Sequence, residues 1–237
     1  MSDAPPPLTI LYENQHWLAL NKIPKLSVER SPYGEPTIES LVYDYLAKSY
    51  RNPYVGIVHR LDRVTTGVLL FAKRKSALRA LNTQFRERQV RKTYWAIVEK
   101  PLPQEAGRLA NYLTKDRARR MGLVVDKKVK GAIRCQLDYR QLVQNKVGCL
   151  LEVRPLSGKF HQIRVQLAHL GYPILGDRKY GSTIELTPHV IALHAARLAL
   201  TNPTNQEEMI ITAPVPETAW WGSFAENLPN FDINLSQ

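Results

Sequence analysis

Acidic residues are outnumbered in this chain, and cysteine is almost absent. Asp and Glu total 21 against 33 Lys and Arg, so the formal net charge is +12 at neutral pH. The two cysteines, Cys135 and Cys149, have no metal-ligand spacing around them, which argues against a disulfide scaffold and a cysteine-based metal site. We interpret them as buried thiols in a reducing compartment and expect a cytoplasmic location.

Long apolar runs are also missing. No run approaches the roughly 20 residues that a membrane-spanning helix needs, and no basic amphipathic helix with an aromatic face is evident. Residues 1–7 lack the basic start and apolar core of a secretory signal, and their prolines predict a short flexible leader. We therefore expect no membrane partner.

The basic residues that are present are unevenly distributed. Seven of them lie between Lys115 and Lys130, where only Asp116 and Asp126 oppose them. A merely soluble basic surface is the simpler alternative, but such clustering favours a polyanion, and nucleic acid above all.

Hydrophobic residues make up 44% of the chain, enough for a real core. Period-two and helical spacings predict helices near 38–46, 76–88, 157–170 and 217–226, and strands at 8–12, 17–21, 67–72, 93–98, 132–143, 148–153, 190–200 and 208–213. Strands and helices mix without regular alternation, so we predict an α+β fold with a mixed, mostly antiparallel sheet. We assign residues 8–228 to one domain of two coupled subdomains around one sheet, and 229–237 to a tail.

Asp62 is the most informative single residue. It follows His59-Arg60-Leu61 and precedes an apolar run that reads as a buried strand. A carboxylate on a tight connection between arginines and beside a rigid strand suits a nucleophile or an electrostatic catalyst.

Two other interpretations of this motif are weaker. Protein kinases carry a superficially similar loop, but their Asp-Phe-Gly sequence and glycine-rich loop are missing here. A metal site would join His59 and Asp62 to other histidines, namely His161, His169 or His194. Single histidines on predicted helices and strands are more often packing residues, so we predict no metal.

Four segments in order resemble the RluA-type family of pseudouridine synthases. They are Leu20-Asn21-Lys22-Ile23-Pro24, the stretch His59 to Lys73, Lys92-Thr93-Tyr94-Trp95-Ala96-Ile97-Val98, and Gly158 to Asp177 followed by Tyr180-Gly181. Each motif alone is weak, but four in sequence over about residues 8 to 215 are specific. Thr66, Lys159, Phe160 and Gln166 depart from the usual residues. Because few residues precede residue 8, we expect no N-terminal RNA-binding module of the kind common in the family.

The resemblance implies an RNA isomerase that turns a uridine of ribosomal or transfer RNA into pseudouridine without a cofactor. It implies a sheet bisected by a basic cleft with flanking helices, with Asp62 as the central acid and Arg164 as its ion-pair partner. It also implies Tyr94 as a stacking or proton-transfer residue, and Arg60 as the side chain that fills the space of an extruded nucleotide.

Further residues are expected to contact RNA. Besides Arg60 these are His59, Lys22, Lys73, Arg91, Lys92, Lys115, Arg117, Arg119, Arg120 and Lys159. We expect a monomer with no obligate protein partner. The rival functions are a catalytically silent RNA-binding protein of the same fold and a hydrolase that uses Asp62, although no second carboxylate has an obvious partner role.

Overall fold

The chain divides into two compact units. The computed structural model describes residues 6–30 and 35–229. Within these, unit 1 comprises 6–30, 35–91 and 195–215, and unit 2 comprises 92–194 and 216–229. Most of the expected leader and tail lies outside the described residues.

The elements of unit 1 are β1 Thr9–Glu13, β2 Trp17–Lys22, α1 Ile38–Ala47, β3 Gly56–Ile57, β4 Thr66–Ala72, α2 Lys75–Arg86, β10 Leu193–Thr201 and β11 Glu208–Thr212. Its strands pair in the order β1, β2, β4, β10 and β11, with β3 also paired to β4. The pairs β1–β2, β2–β4, β3–β4 and β10–β11 are antiparallel. Strand β10 starts in unit 2 and continues into unit 1.

Strand β4 is the centre of unit 1. All seven of its residues are buried, which explains why its sequence is continuously apolar instead of alternating. Gly67 at its start has a φ of +110°, and a Cβ there would lie 2.2 Å from the backbone oxygen of Ala195 in β10. Only glycine permits this close approach of two strands.

The elements of unit 2 are β5 Arg91–Val98, β6 Ala106–Asp116, β7 Met121–Val125, β8 Ile133–Asn145, β9 Gly148–Pro155, α3 Gln162–His169 and α4 Ala219–Gly222. Its strands pair in the order β5, β9, β8, β6 and β7, and each neighbouring pair is antiparallel. Two short 3-10 helices, Arg178–Tyr180 and Ala225–Asn227, also belong to this unit.

The predicted α+β class is confirmed, as are the first hairpin, the first two helices and the β8–β9 hairpin. Two helix predictions are wrong in extent. Helix α3 begins at Gln162 and not near Ser157, because His161 before it has a left-handed φ of 54°. The expected helix over 217–226 is reduced to α4 and a 3-10 turn.

No helix within residues 6–30 and 35–229 has the length and apolar character required to span a bilayer. Both cysteines are buried free thiols. Burial raises the pKa of Cys149 to about 11 and also raises the pKa of Cys135.

Candidate active site and nucleic-acid surface

Asp62 lies in a tight turn that leads into β4. The backbone N–H of Thr65 donates to the carbonyl of Asp62 at 3.0 Å, which closes the turn. Asp62 is half-buried, whereas Arg63 is exposed. Because this short turn leads directly into a fully buried strand, the backbone that carries the Asp62 carboxylate is held in place, as the sequence predicted.

Lys22, at the end of β2, supports this turn through hydrogen bonds to its backbone. Its ammonium donates to three backbone carbonyls, those of Ile23 at 2.9 Å, Arg63 at 3.2 Å and Thr65 at 3.0 Å. The residue is 1% exposed. Burial lowers the pKa of Lys22 to about 7, and the nearby carboxylate of Asp62 opposes that shift.

These contacts do not favour the predicted contact of Lys22 with the RNA backbone. A side chain that is almost fully buried and whose three donors are all used by carbonyls has none to offer a phosphate. We name Lys22 and its three carbonyls the lysine cage.

The segment after β2 also clamps the Asp62 turn directly. The N–H of Lys25 donates to the carbonyl of Arg63 at 2.9 Å, and the Nε of Arg63 donates to the carbonyl of Lys25 at 2.7 Å. Together with the lysine cage, this reciprocal pair fixes both sides of the turn.

His59 and Arg60 differ in how they are placed. The Nε2 of His59 accepts from the N–H of Leu70 at 3.2 Å, and its ring stacks on Phe85 at 4.8 Å. These contacts favour the role of orienting the turn over contact with phosphate. Arg60 is exposed and pairs with Glu29 at 2.8 Å, a surface contact too weak to prevent its use elsewhere.

Arg164 is buried in α3 of unit 2 with an exposure of 4%. Its Nε and Nη2 donate to the two carboxylate oxygens of Asp177 at 2.7 and 2.8 Å, a bidentate buried pair. Sequence reasoning missed Asp177 as a partner. The only signal was its place in the fourth quoted segment.

Tyr94 lies in β5 of unit 2, opposite Val153 of β9, and is half-buried. A half-buried ring on a strand suits both stacking and proton transfer. Asp62 belongs to unit 1, and Tyr94 and Arg164 belong to unit 2. Their meeting in one site stays a prediction.

The predicted RNA contacts separate by exposure. Lys73 is engaged internally, since its Nζ donates to Glu13 at 2.7 Å and to the carbonyl of Asn14 at 2.8 Å and its side chain is 8% exposed. These internal contacts do not favour its predicted contact with RNA. Lys92 is half-buried and donates to Ser157. The exposed ones are Arg60, Arg91, Lys115, Arg117, Arg119, Arg120 and Lys159.

Four of these exposed residues lie around the turn of the β6–β7 hairpin, residues 106–125, which we name the basic hairpin. They are Lys115, Arg117, Arg119 and Arg120. Of them, Arg119 pairs with Asp116 at 3.8 Å. Exposed side chains of one sign on an antiparallel hairpin suit contact with a phosphate backbone. Across the described ranges, no three His, Cys, Asp or Glu residues converge in a way that would hold a metal ion.

Comparison with known proteins agrees with this description. The model of the RNA pseudouridylate synthase family matches residues 16–169. Ribosomal large subunit pseudouridine synthase C of Buchnera aphidicola subsp. Baizongia pistaciae is 35% identical over 218 residues, covering 87% of this chain and 66% of that protein. The tRNA pseudouridine synthase C of Vibrio parahaemolyticus is 28% identical, covering 91% of this chain and 93% of its own.

A solved structure of human RNA pseudouridylate synthase domain containing 4 has a TM-score of 0.74 and 25% identity, with 92% of each chain covered. The chain spans about two thirds of the length of the ribosomal synthases that it matches. The family model alone covers more than half of the chain and includes Asp62, Tyr94 and Arg164. The chain therefore belongs to the RNA pseudouridylate synthase family, and its resemblance to RluA-type members is confirmed.

Proposed function

We propose that this protein converts uridine in structured RNA to pseudouridine, with Asp62 as the central acid. The observation that carries the proposal is the fixed position of Asp62 in a chain that belongs to this family. Its turn is held by the hydrogen bonds of the lysine cage and of Lys25. A preorganised carboxylate needs no rearrangement at the moment of reaction.

The chemistry needs no imported group. The bond between uracil N1 and ribose C1′ breaks, the base turns while bound, and a bond from C5 to C1′ replaces it. The proton that leaves C5 is balanced by one that N1 gains. Substrate and product are isomers, so the reaction requires neither a redox cofactor nor a metal. Asp62 acts by covalent attack or by stabilising positive character at C1′.

We further propose that Arg164 is the cation that keeps Asp62 in its anionic form. A guanidinium is a planar fork with two usable edges. Asp177 occupies the edge formed by Nε and Nη2, and the edge that includes Nη1 is the one that suits a second carboxylate. Asp177 thus fixes the direction in which Arg164 points.

The remaining roles follow the family resemblance. Tyr94 stacks on the uracil or moves the proton from C5, and Arg60 fills the gap that the extruded nucleotide leaves in the RNA. The basic hairpin holds the phosphate backbone of the RNA. The expected substrate is a folded loop in ribosomal or transfer RNA, since relatives named for both are similar to this chain. We further propose that the protein acts as a cytoplasmic monomer.

The test compares the protein with its Asp62→Asn variant on total RNA from cells that lack the gene. Pseudouridine mapping should show new sites with the parent protein and none with Asp62→Asn, while affinity for RNA stays within about twofold, because amide and carboxylate are similar in size. Asp44→Asn, an exposed change in α1, is the matched control and should retain conversion.

Appreciable turnover by Asp62→Asn would contradict the role of this acid. RNA binding without conversion by the parent protein would favour the silent RNA-binding alternative. Release of free uracil would favour the hydrolase.

A further inference from the structure

Tyr180 stands where three parts of unit 2 meet. It ends the 3-10 turn Arg178–Tyr180, directly after Asp177. Its hydroxyl accepts from the N–H of Gly122 in β7 at 2.7 Å and lies 2.8 Å from Nδ1 of His161 at the start of α3. The Cζ of Arg164 lies 5.0 Å from the centre of its ring.

The hydrogen bonds of the Tyr180 hydroxyl are complementary. A phenolic oxygen has one proton to give and two lone pairs. Because the Gly122 N–H uses a lone pair, the proton is available for Nδ1 of His161. One side chain therefore joins the basic hairpin to the first residue before α3, while its ring supports the guanidinium of Arg164.

Further contacts attach the basic hairpin to the start of α3 and to the 3-10 turn that contains Tyr180. A Cβ on Gly122 would lie 3.1 Å from the carbonyl of Phe160, so the hairpin and the start of α3 approach closely. Lys179 donates to the carbonyls of Arg119 and Arg120, both at 3.4 Å.

A stack of side chains extends the same connection outward. Phe160 stacks on His161 with ring centres 3.8 Å apart, and the Nζ of Lys115 lies 4.4 Å from the centre of the Phe160 ring. A series of side-chain contacts therefore connects the basic hairpin to Arg164. It runs from Lys115 through Phe160, His161 and Tyr180 to Arg164.

We propose that Tyr180 is a positioning residue for Arg164, which ties the arginine of the reaction to the hairpin that holds the RNA. The inference rests on the proposed function, because it assumes that Arg164 acts on Asp62. In this proposal Tyr180 acts through the side chain of Arg164, whose guanidinium lies against its ring. It sets the ring surface under the guanidinium and the attachment of the helix that carries it.

The test is single-turnover conversion with enzyme in excess of a uridine-containing RNA that the parent protein modifies. Tyr180→Phe keeps the ring and removes both hydrogen bonds of the hydroxyl. We expect the rate at saturating enzyme to fall roughly tenfold, which corresponds to about 1.4 kcal/mol in the barrier. The enzyme concentration at half-saturation should stay within about twofold of that of the parent. Tyr172→Phe, elsewhere in unit 2, should change neither quantity.

This design separates positioning from folding. If Tyr180→Phe only lowered the folded fraction, less active enzyme would be present, so half-saturation would shift upward while the saturating rate stayed the same. That result, or unchanged kinetics, would overturn the proposal.

A second variant and a reference pair complete the experiment. His161→Asn tolerates the left-handed backbone and loses the ring contact with Tyr180, so it should also lower the saturating rate. If Asp62→Asn and Arg164→Met are inactive while both of these variants react at the parent rate, only the positioning inference fails. If Asp62→Asn and Arg164→Met react normally, the proposed function itself fails.

Discussion

The burial of Arg164 could be predicted from the sequence, but its partner Asp177 could not. Its place in a motif predicts a buried cation that serves a carboxylate, and the structure buries it. Asp177 could not be named as a partner because no helical or strand spacing links residues 13 apart across a loop. Only the folded chain brings the two together at 2.7 Å.

Asp177→Asn should lower the free energy of unfolding by about 3 kcal/mol, because removing one charge of a buried pair leaves the other uncompensated. Urea titration measures this. The matched control is Glu185→Gln, whose pairing with Arg178 is exposed on both sides and should contribute less than about 1 kcal/mol. Equal effects of the two changes would contradict the importance of the buried pair.

The inward position of Lys22 could not be predicted from the sequence. A lysine at a strand end in a basic protein usually reaches solvent or a phosphate, and nothing in the spacing indicates three inward carbonyls. The reach of its four-carbon stem under the Asp62 turn appears only in three dimensions.

The lowered pKa of Lys22 predicts a pH dependence of stability. Between pH 7 and about pH 10 the folded protein has released this proton and the unfolded chain has not, so the contribution of Lys22 to folding stability rises with pH, by at most ~1.4 kcal/mol per pH unit. Urea titrations at about pH 7 and about pH 9 should show the parent protein gaining stability relative to Lys22→Met. Lys48→Met, an exposed change in α1's C-cap, should follow the parent, and a constant difference between parent and Lys22→Met would refute the expectation.

At the scale of elements, apolar spacing predicts most strands well because burial on one or both faces imprints it. The β6–β7 hairpin escaped prediction, since charged residues at its turn hide the alternation and only Leu113 and Gly122 among its central residues are buried. The sequence predicts helix α3 too long because Phe160 continues its apolar spacing. In the structure Phe160 is 39% exposed and lies directly before the left-handed residue His161.

The basic hairpin should determine how RNA affinity depends on salt. Arg117→Ala and Arg120→Ala should each reduce the slope of log affinity against log salt concentration by roughly 0.7 to 1, because each arginine releases about one counterion from the phosphates. Binding titrations at several salt concentrations measure the slope. Lys146→Ala, at the exposed turn between β8 and β9, is the control, and an equal loss there would indicate a general charge effect.

For the whole molecule, composition predicted the polyanionic partner class and the reduced state of the cysteines, and motif order predicted the family. Two coupled subdomains are also expected from the sequence, but their interleaved boundaries could not be predicted, because no linker of distinct composition separates them. Unit membership follows from strand pairing between distant parts of the chain.

The burial of both thiols predicts their reactivity. At about pH 8 a disulfide reagent should label neither Cys135 nor Cys149 in the folded protein, since burial both blocks access and raises their pKa values above the ordinary thiol value. In concentrated guanidinium chloride both should react. Rapid labelling of the folded protein would indicate that unit 2 opens locally.

The interleaving of unit 1 has a consequence for synthesis of the chain. Strand β4 leaves the ribosome about 120 residues before Ala195, the start of the β10 segment that pairs with it within unit 1; at 5–20 residues per second that is a wait of roughly 6 to 25 s. During this interval a continuously apolar strand has one open edge, the kind of surface at which nascent chains aggregate. We therefore expect production of the protein to depend on chaperone capacity and to improve when translation through unit 2 is fast.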